Sequence, residues 1–302
     1  MSASDPVPGF VDCGASKPSR EWVARLDLRF DCNDGRMYLR KNHHVGPVRV
    51  LRPYFPERQG CVHIYLLHPP GGLVCGDEIH MNIEVGRRAK ALLTTPSAGK
   101  VYASDQIGHP QIQSVTLNCD EEAELEWLPQ GTIVYDGANG YQNVRLNTRA
   151  SSKFTLWDIT ALGRPASAAP FVNGSFIQKT EVNREGQAIF LERMQFEGGG
   201  RIFDAPWGLN GHCVYGSMIA GYFAPAQSQS IVVRLREHLA VARGQRQKEK
   251  LYWAASRKDN LLVLRALAAQ SEPIKQLFSA AWDFIRPTLL GKITSYPRIW
   301  ST

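Results

Sequence analysis

Apolar residues recur at every second position through most of this chain, and that rhythm limits it to folds built from strands. Trp22, Ala24, Leu26, Leu28 and Phe30 fall on one face of a strand, opposite Val23, Arg25, Asp27 and Arg29. The alternation returns at Val48 and Val50, at Val62, Ile64 and Leu66, and at Ile79, Met81, Ile83 and Val85. Further runs lie at Ala89–Leu93, Val115–Leu117, Ala123–Trp127, Phe154–Leu156, Phe176–Asn183 and Gln187–Phe196. Turn residues punctuate them, with hairpin-type chemistry at Asn33-Asp-Gly35 and Arg184-Glu-Gly186.

Two segments break the rhythm. Residues 226–242 place Ile231, Leu235, His238 and Leu239 at helical spacing. A second helix is expected from Ser271 as N-cap, with Pro273 in its first turn and Pro287 and Gly291 limiting it. Its stripe is Ile274, Leu277, Phe278, Ala281, Trp282 and Ile285. Leu251–Ala255 and Leu261–Leu267 read as a hairpin closed at Lys258-Asp-Asn260. No internal repeat and no Gly/Ser linker divides the 302 residues. The expectation is a flexible lead-in over 1–20 and one β-rich domain over 21–302, with both helices in the C-terminal third.

Composition excludes several classes. No apolar run approaches the roughly 20 residues of a membrane span, and the first residues lack the pattern of a secretory signal. None of the six cysteines is in a C-x-x-C pair, so reduced thiols and a cytoplasmic location are expected. The net charge is +7, with basic residues concentrated between Arg234 and Lys258. Glu237, Glu249 and Asp259 interrupt that stretch, which fits a solvated helix face better than a nucleic-acid surface. His43 and His44 read as a solvated pair.

The most constrained loop is His68-Pro-Pro-Gly-Gly-Leu-Val-Cys-Gly-Asp77. Pro fixes φ and Gly permits positive φ, so this stretch must turn sharply. It carries His68, Cys75 and Asp77, a set of imidazole, thiol and carboxylate that suits a borderline metal. Ser97-Ala-Gly-Lys100 resembles the end of a phosphate loop but lacks its first glycine and its final hydroxyl. No H-E-x-x-H or G-x-S-x-G pattern is present. Other acids stand in rigid or aromatic settings: Glu126, Asp136 and Asp158. Asp158 lies inside an apolar run, where a carboxylate needs a partner or a cation. A salt bridge to Arg164 or Arg193 is one reading, and a carboxylate lining a polar interior path is the other.

Six motifs follow one another in order: the His68–Asp77 loop, Leu93-Thr-Thr-Pro-Ser-Ala-Gly-Lys-Val-Tyr102, Glu126-Trp-Leu-Pro-Gln130, Leu162-Gly-Arg-Pro165, Leu191-Glu-Arg193 and Pro297-Arg-Ile-Trp300. Together they resemble the UreD family of urease accessory proteins, called UreH in some bacteria. The resemblance implies a non-catalytic protein with a helical arrangement of β-strands and two helices. It implies that the protein binds apo-urease and recruits the adaptor UreF and, through it, the GTPase UreG. It implies transient handling of nickel, with no stably held cofactor, through an internal polar tunnel. Asp77 and Asp158 match motif acids and become tunnel candidates; Thr94, Thr95 and Lys100 match a motif without an assigned role. A pure docking scaffold, with metal carried only by the partners, is the alternative. Three positions depart from the family pattern: Cys75 before Gly-Asp77, Gly131 in place of an acid, and Ala168-Ala169 in place of Gly-Glu.

Overall fold

A computed structural model describes residues 22–57, 60–244 and 251–301. The expected lead-in over 1–20, Cys13 and part of the basic stretch lie outside them. The chain forms β1 (Trp22–Asn33), β2 (Arg36–Val45), β3 (Arg49–Val50), β4 (Val62–Leu67), β5 (Asp77–Val85), β6 (Lys90–Thr94), β7 (Gly99–Val101), β8 (Gln111–Cys119) and β9 (Glu124–Trp127). It continues through β10 (Thr132–Val134), β11 (Asn139–Thr148), β12 (Lys153–Arg164), β13 (Ala169–Pro170), β14 (Ser175–Arg184), β15 (Gln187–Glu197) and β16 (Val214–Gly221). Helix α1 (Pro225–Gly244), β17 (Leu251–Lys258), β18 (Leu261–Ala268) and α2 (Ser271–Leu290) complete it.

Two sheets face each other. The first has the order β15-β14-β11-β8-β5-β1-β2, and the second β17-β18-β16-β12-β9-β6-β4-β3. From β4 to β14 the chain alternates between them. Successive strands of one sheet therefore run parallel: β5, β8, β11 and β14 in the first, and β4, β6, β9 and β12 in the second. The chain winds as a flattened β-helix, which confirms the mainly β expectation. Antiparallel hairpins finish the edges, β1–β2 through Asp34 and Gly35, both at positive φ, and β14–β15 through Glu185 and Gly186.

The core has two layers. Between the sheets pack Leu26, Phe30, Ile64, Ile83, Val115, Leu146 and Phe154. Between the second sheet and the helices pack Trp157, Met218, Leu235, Leu264, Phe278 and Trp282. β12 serves both layers, so its positions from Phe154 to Gly163 are all buried, as expected for a strand covered on both faces. Phe154, Leu156 and Leu162 face the first sheet, and Trp157, Ile159 and Ala161 face the helices.

α2 buries the whole predicted stripe. Its ends differ from the sequence expectation. Gln270, in extended conformation, is the N-cap, and Ser271 is the first helical residue. Pro287 lies inside the helix rather than ending it, because Leu289 and Leu290 one turn later are buried against the sheet. Gly291, at φ 68°, caps it by donating its N–H to the Pro287 carbonyl at 3.0 Å. Among the described residues no helix is long and apolar enough to cross a membrane, and the cysteines are unpaired.

Candidate functional site

The Pro-Pro-Gly-Gly turn is anchored to β7 by its backbone. Leu73 donates its N–H to the Lys100 carbonyl at 2.8 Å and accepts from Tyr102 at 2.9 Å. Gly72 makes this approach possible: a Cβ there would lie 2.6 Å from the Tyr102 ring and 2.8 Å from the Lys100 carbonyl oxygen. A tight turn follows, in which the Asp77 N–H reaches the Val74 carbonyl at 3.1 Å. The Asp77 carboxylate accepts the Val74 N–H at 2.9 Å. Cys75 stands partly exposed on that turn. Burial lowers the pKa of His68 below its usual value, while the charge of Asp77 opposes that shift. His68, Cys75 and Asp77 thus share one loop, yet they do not converge as a set of metal ligands.

The second motif closes against the first. Lys100 extends its amine to the Gly71 carbonyl at 3.5 Å. Thr95 donates to the Ser97 carbonyl at 2.9 Å and accepts the Gln130 N–H at 3.0 Å, fixing the loop between them. Thr94 has a packing role: its hydroxyl donates to the Leu128 carbonyl at 2.5 Å and accepts the Trp300 indole N–H at 2.8 Å. The tail motif is thereby tied to the end of β6 in the second sheet.

Beneath these loops lies a cavity of about 330 Å³, lined by His68, Lys100, Gln113, Thr132 and Gln142 among others. A larger cleft of about 600 Å³ shares none of these residues. It is lined by Arg88 and Glu122, and by Lys90 and Glu124, which pair with each other.

The cavity leads into the space between the sheets. Gln113, Gln142 and Gln178 occupy one register row on β8, β11 and β14. Gln142 accepts from the Thr132 hydroxyl at 3.3 Å and donates to one oxygen of Asp158 at 3.2 Å. Gln178 donates to Thr160 at 3.3 Å and accepts from the Tyr215 hydroxyl at 2.8 Å. Thr180, two residues beyond Gln178, faces Glu192 across the β14–β15 pair. Glu192 in turn holds the half-exposed Arg265 at 2.6 Å. A row of polar side chains therefore crosses an otherwise apolar core.

Asp158 is the buried acid in this row. It is 5 % exposed, and its second oxygen has no hydrogen-bond partner. Burial, with a further push from Glu192, raises its pKa to about 7; the Gln142 hydrogen bond works the other way. The expected salt bridge is absent. Arg164 sits at the exposed end of β12, 5.2 Å above the Tyr135 ring. Arg193 lies on the exposed face of β15.

The other two acids hold the fold together. Glu126 faces the helices and accepts from the Trp282 indole at 2.6 Å and from the Arg286 guanidinium at 2.8–3.1 Å. Asp136 accepts the backbone N–H groups of Val172 and Asn173 at 2.9 and 2.7 Å. Burial opposes its ionisation, but these bonds and the Asn173 amide keep its pKa below the ordinary value.

A family model described as UreD urease accessory protein matches residues 23–301. A urease accessory protein UreD from Hahella chejuensis is 49% identical over 287 residues, covering 94% of this chain and 92% of its own. Those from Saccharophagus degradans and Chromohalobacter salexigens are 37% and 39% identical, each across 94% of this chain and 95% and 90% of theirs. This chain belongs to the UreD urease accessory protein family.

In this UreD chain, one of the three departures has a backbone cause. Gly131 adopts φ 108°, and a Cβ there would lie 2.6 Å from the Ile159 carbonyl oxygen, so no acid fits this conformation. Ala168, at φ 52°, ends a single 3-10 turn over Pro165–Ser167 in a conformation that glycine adopts more easily, and nothing in the structure explains the Ala168-Ala169 pair.

The glutamine row and its partners Thr132, Thr160, Tyr215 and Glu192 were not singled out by sequence. A signal was present: Gln113 and Gln142 each precede an inward valine by two residues. A long amide placed twice at the same point of a core-facing alternation marks a polar row.

Proposed function

We propose that this protein is a non-catalytic scaffold of urease activation that lets nickel pass between its two sheets. It docks apo-urease, recruits the adaptor UreF and through it the GTPase UreG, and binds nickel only transiently. The observation that carries this reading is the polar row from the His68–Lys100 cavity to Glu192, with the bare oxygen of Asp158 at its centre. Amide and hydroxyl oxygens with one carboxylate bind a borderline divalent ion weakly, as a conduit requires. Asp77 stands beside the cavity mouth and acts on it through His68.

A docking scaffold whose partners alone carry the metal is the second reading. It draws on exposed large side chains such as Trp207, Ile293 and Trp22, at 77%, 85% and 68% exposure. The test is co-purification of the tagged chain with the adaptor, the GTPase and apo-urease from one source, followed by nickel-dependent activation. Asp158→Asn and Asp77→Ala are expected to assemble normally but to leave urease with less nickel. Normal assembly with undiminished activation would exclude the interior route and leave the docking scaffold.

A further inference from the structure

A different group of metal-binding side chains lies on the opposite face of the second sheet. Val62 and Ile64 of β4 point into the inter-sheet core. Cys61 and His63 alternate with them, and Cys61 packs in the helix-side layer. Glu57, just upstream, reaches the same place. One ligand atom from each of Glu57, Cys61 and His63 lies within 4.8 Å of the others.

We propose that Glu57, Cys61 and His63 form a binding site for a borderline divalent cation, best matched by zinc, with a fourth position left to water. Thiolate, imidazole and carboxylate are the donors that zinc takes in four-coordinate sites. Nickel and cobalt share this preference more weakly.

Two observations favour a ligand over simple packing. His63 is 1% exposed; one ring nitrogen meets Glu57 at 3.0 Å, and the other, Nδ1, is buried with no partner. A histidine kept only to hold Glu57 has no use for a bare, buried lone pair, which is costly to leave unmatched. Cys61 is equally under-used, making only a 3.9 Å contact to the Val62 carbonyl. The surrounding charges balance: Glu57 and Glu126 share the guanidinium of Arg286, and Glu124 holds both Lys90 and Lys292. A divalent ion would displace the Cys61 proton to solvent and sit against the new thiolate and the Glu57 carboxylate. The bonds from His63 and Arg286 both fall on Oε1 of Glu57, so its other oxygen can serve the ion.

The site is independent of the inter-sheet row and stands whether or not nickel crosses it. It joins the start of β4 to α2 through Arg286, so the bound ion would brace the C-terminal helix.

The test uses cobalt(II) as a spectroscopic stand-in for zinc, added to the purified full chain. One equivalent is expected to produce a thiolate-to-cobalt charge-transfer band, which zinc abolishes by competition. Cys61→Ser and His63→Gln are expected to lose the band, and Cys75→Ser to keep it. Cobalt is also expected to slow alkylation of Cys61 in the unmodified protein, a readout that needs no variant. Absence of a thiolate band in the unmodified protein would overturn the site. So would a band that survives in folded Cys61→Ser or disappears in Cys75→Ser.

Discussion

Two carboxylates are buried on opposite faces of one sheet and are treated in opposite ways. Glu126 on β9 looks toward the helices and is 1% exposed; Asp158 on the adjacent β12 looks toward the first sheet and is 5% exposed. Glu126 receives a guanidinium and an indole N–H, so its charge is matched and its lone pairs are used. Asp158 receives one amide and has no cation beside it. Burial lowers the pKa of Arg286, but the two glutamates outweigh it and raise the value overall. On the other face, burial and Glu192 push Asp158 toward its neutral form. A saturated acid fastens a helix, whereas an unsaturated one is available to something that comes and goes.

The largest effect is expected from breaking the saturated side. Glu126→Ala leaves the Arg286 guanidinium in the core with Glu57 as its remaining carboxylate. Removing one partner of a buried pair costs about 3–5 kcal/mol. Urea unfolding should show that loss, and a change below about 1 kcal/mol would mean that Glu57 alone satisfies the guanidinium.

Asp158→Asn should act in the reverse direction. The folded-state pKa, about 7, lies above the ordinary 3.8. Between these values the unfolded chain ionises and the folded chain does not, so wild-type stability falls as pH rises through that window. The asparagine variant escapes the penalty. It should match wild type near pH 4 and exceed it by up to about 4 kcal/mol above pH 7. Unfolding curves at several pH values would reveal the divergence. Parallel curves would mean that Asp158 is already compensated, and its role as a waiting ligand would fall with that result.

The same contrast explains what the sequence disclosed. Period-two alternation identifies which residues share a face, and it located most of the long strands but not β11 or β16. It cannot say which strand pairs with which, because parallel neighbours such as β8 and β11 are joined only after the chain has visited the other sheet. Asp158 was legible as a buried acid because the residues around it are apolar. Its expected arginine partners failed because Arg164 lies at the strand's exposed end and Arg193 on the outward face of β15, where Glu192 points inward instead. The Glu57, Cys61 and His63 group gave no warning: its spacing matches no standard metal motif, and its members meet only because Glu57 folds back beside β4.

A smaller effect tests how the saturated face is extended to the tail. Thr94→Val keeps the shape of the side chain but removes a hydroxyl that serves the Leu128 carbonyl and the Trp300 indole together. Leaving these groups unmatched costs about 1–3 kcal/mol. Faster hydrogen exchange around Trp300 would place the loss in the tail. Unchanged exchange there would show that ring packing against Trp157 and Trp282, at 5.7 and 5.8 Å, suffices.

The smallest effect concerns the mouth of the unsaturated side. Asp77→Asn keeps an oxygen that can accept the Val74 N–H, so stability should change by less than about 1 kcal/mol. The charge beside His68 disappears, however. Burial already lowers the imidazole pKa, and Asp77 is the group that opposes the fall. Without that charge the pKa should drop further, and His68 should be neutral over a wider range of pH. An NMR titration of His68 measures this directly. A downward shift with the turn intact would assign Asp77 an electrostatic task at the cavity mouth. An unchanged titration would confine it to closing the turn and leave the charge question of the interior to Asp158 and Glu192.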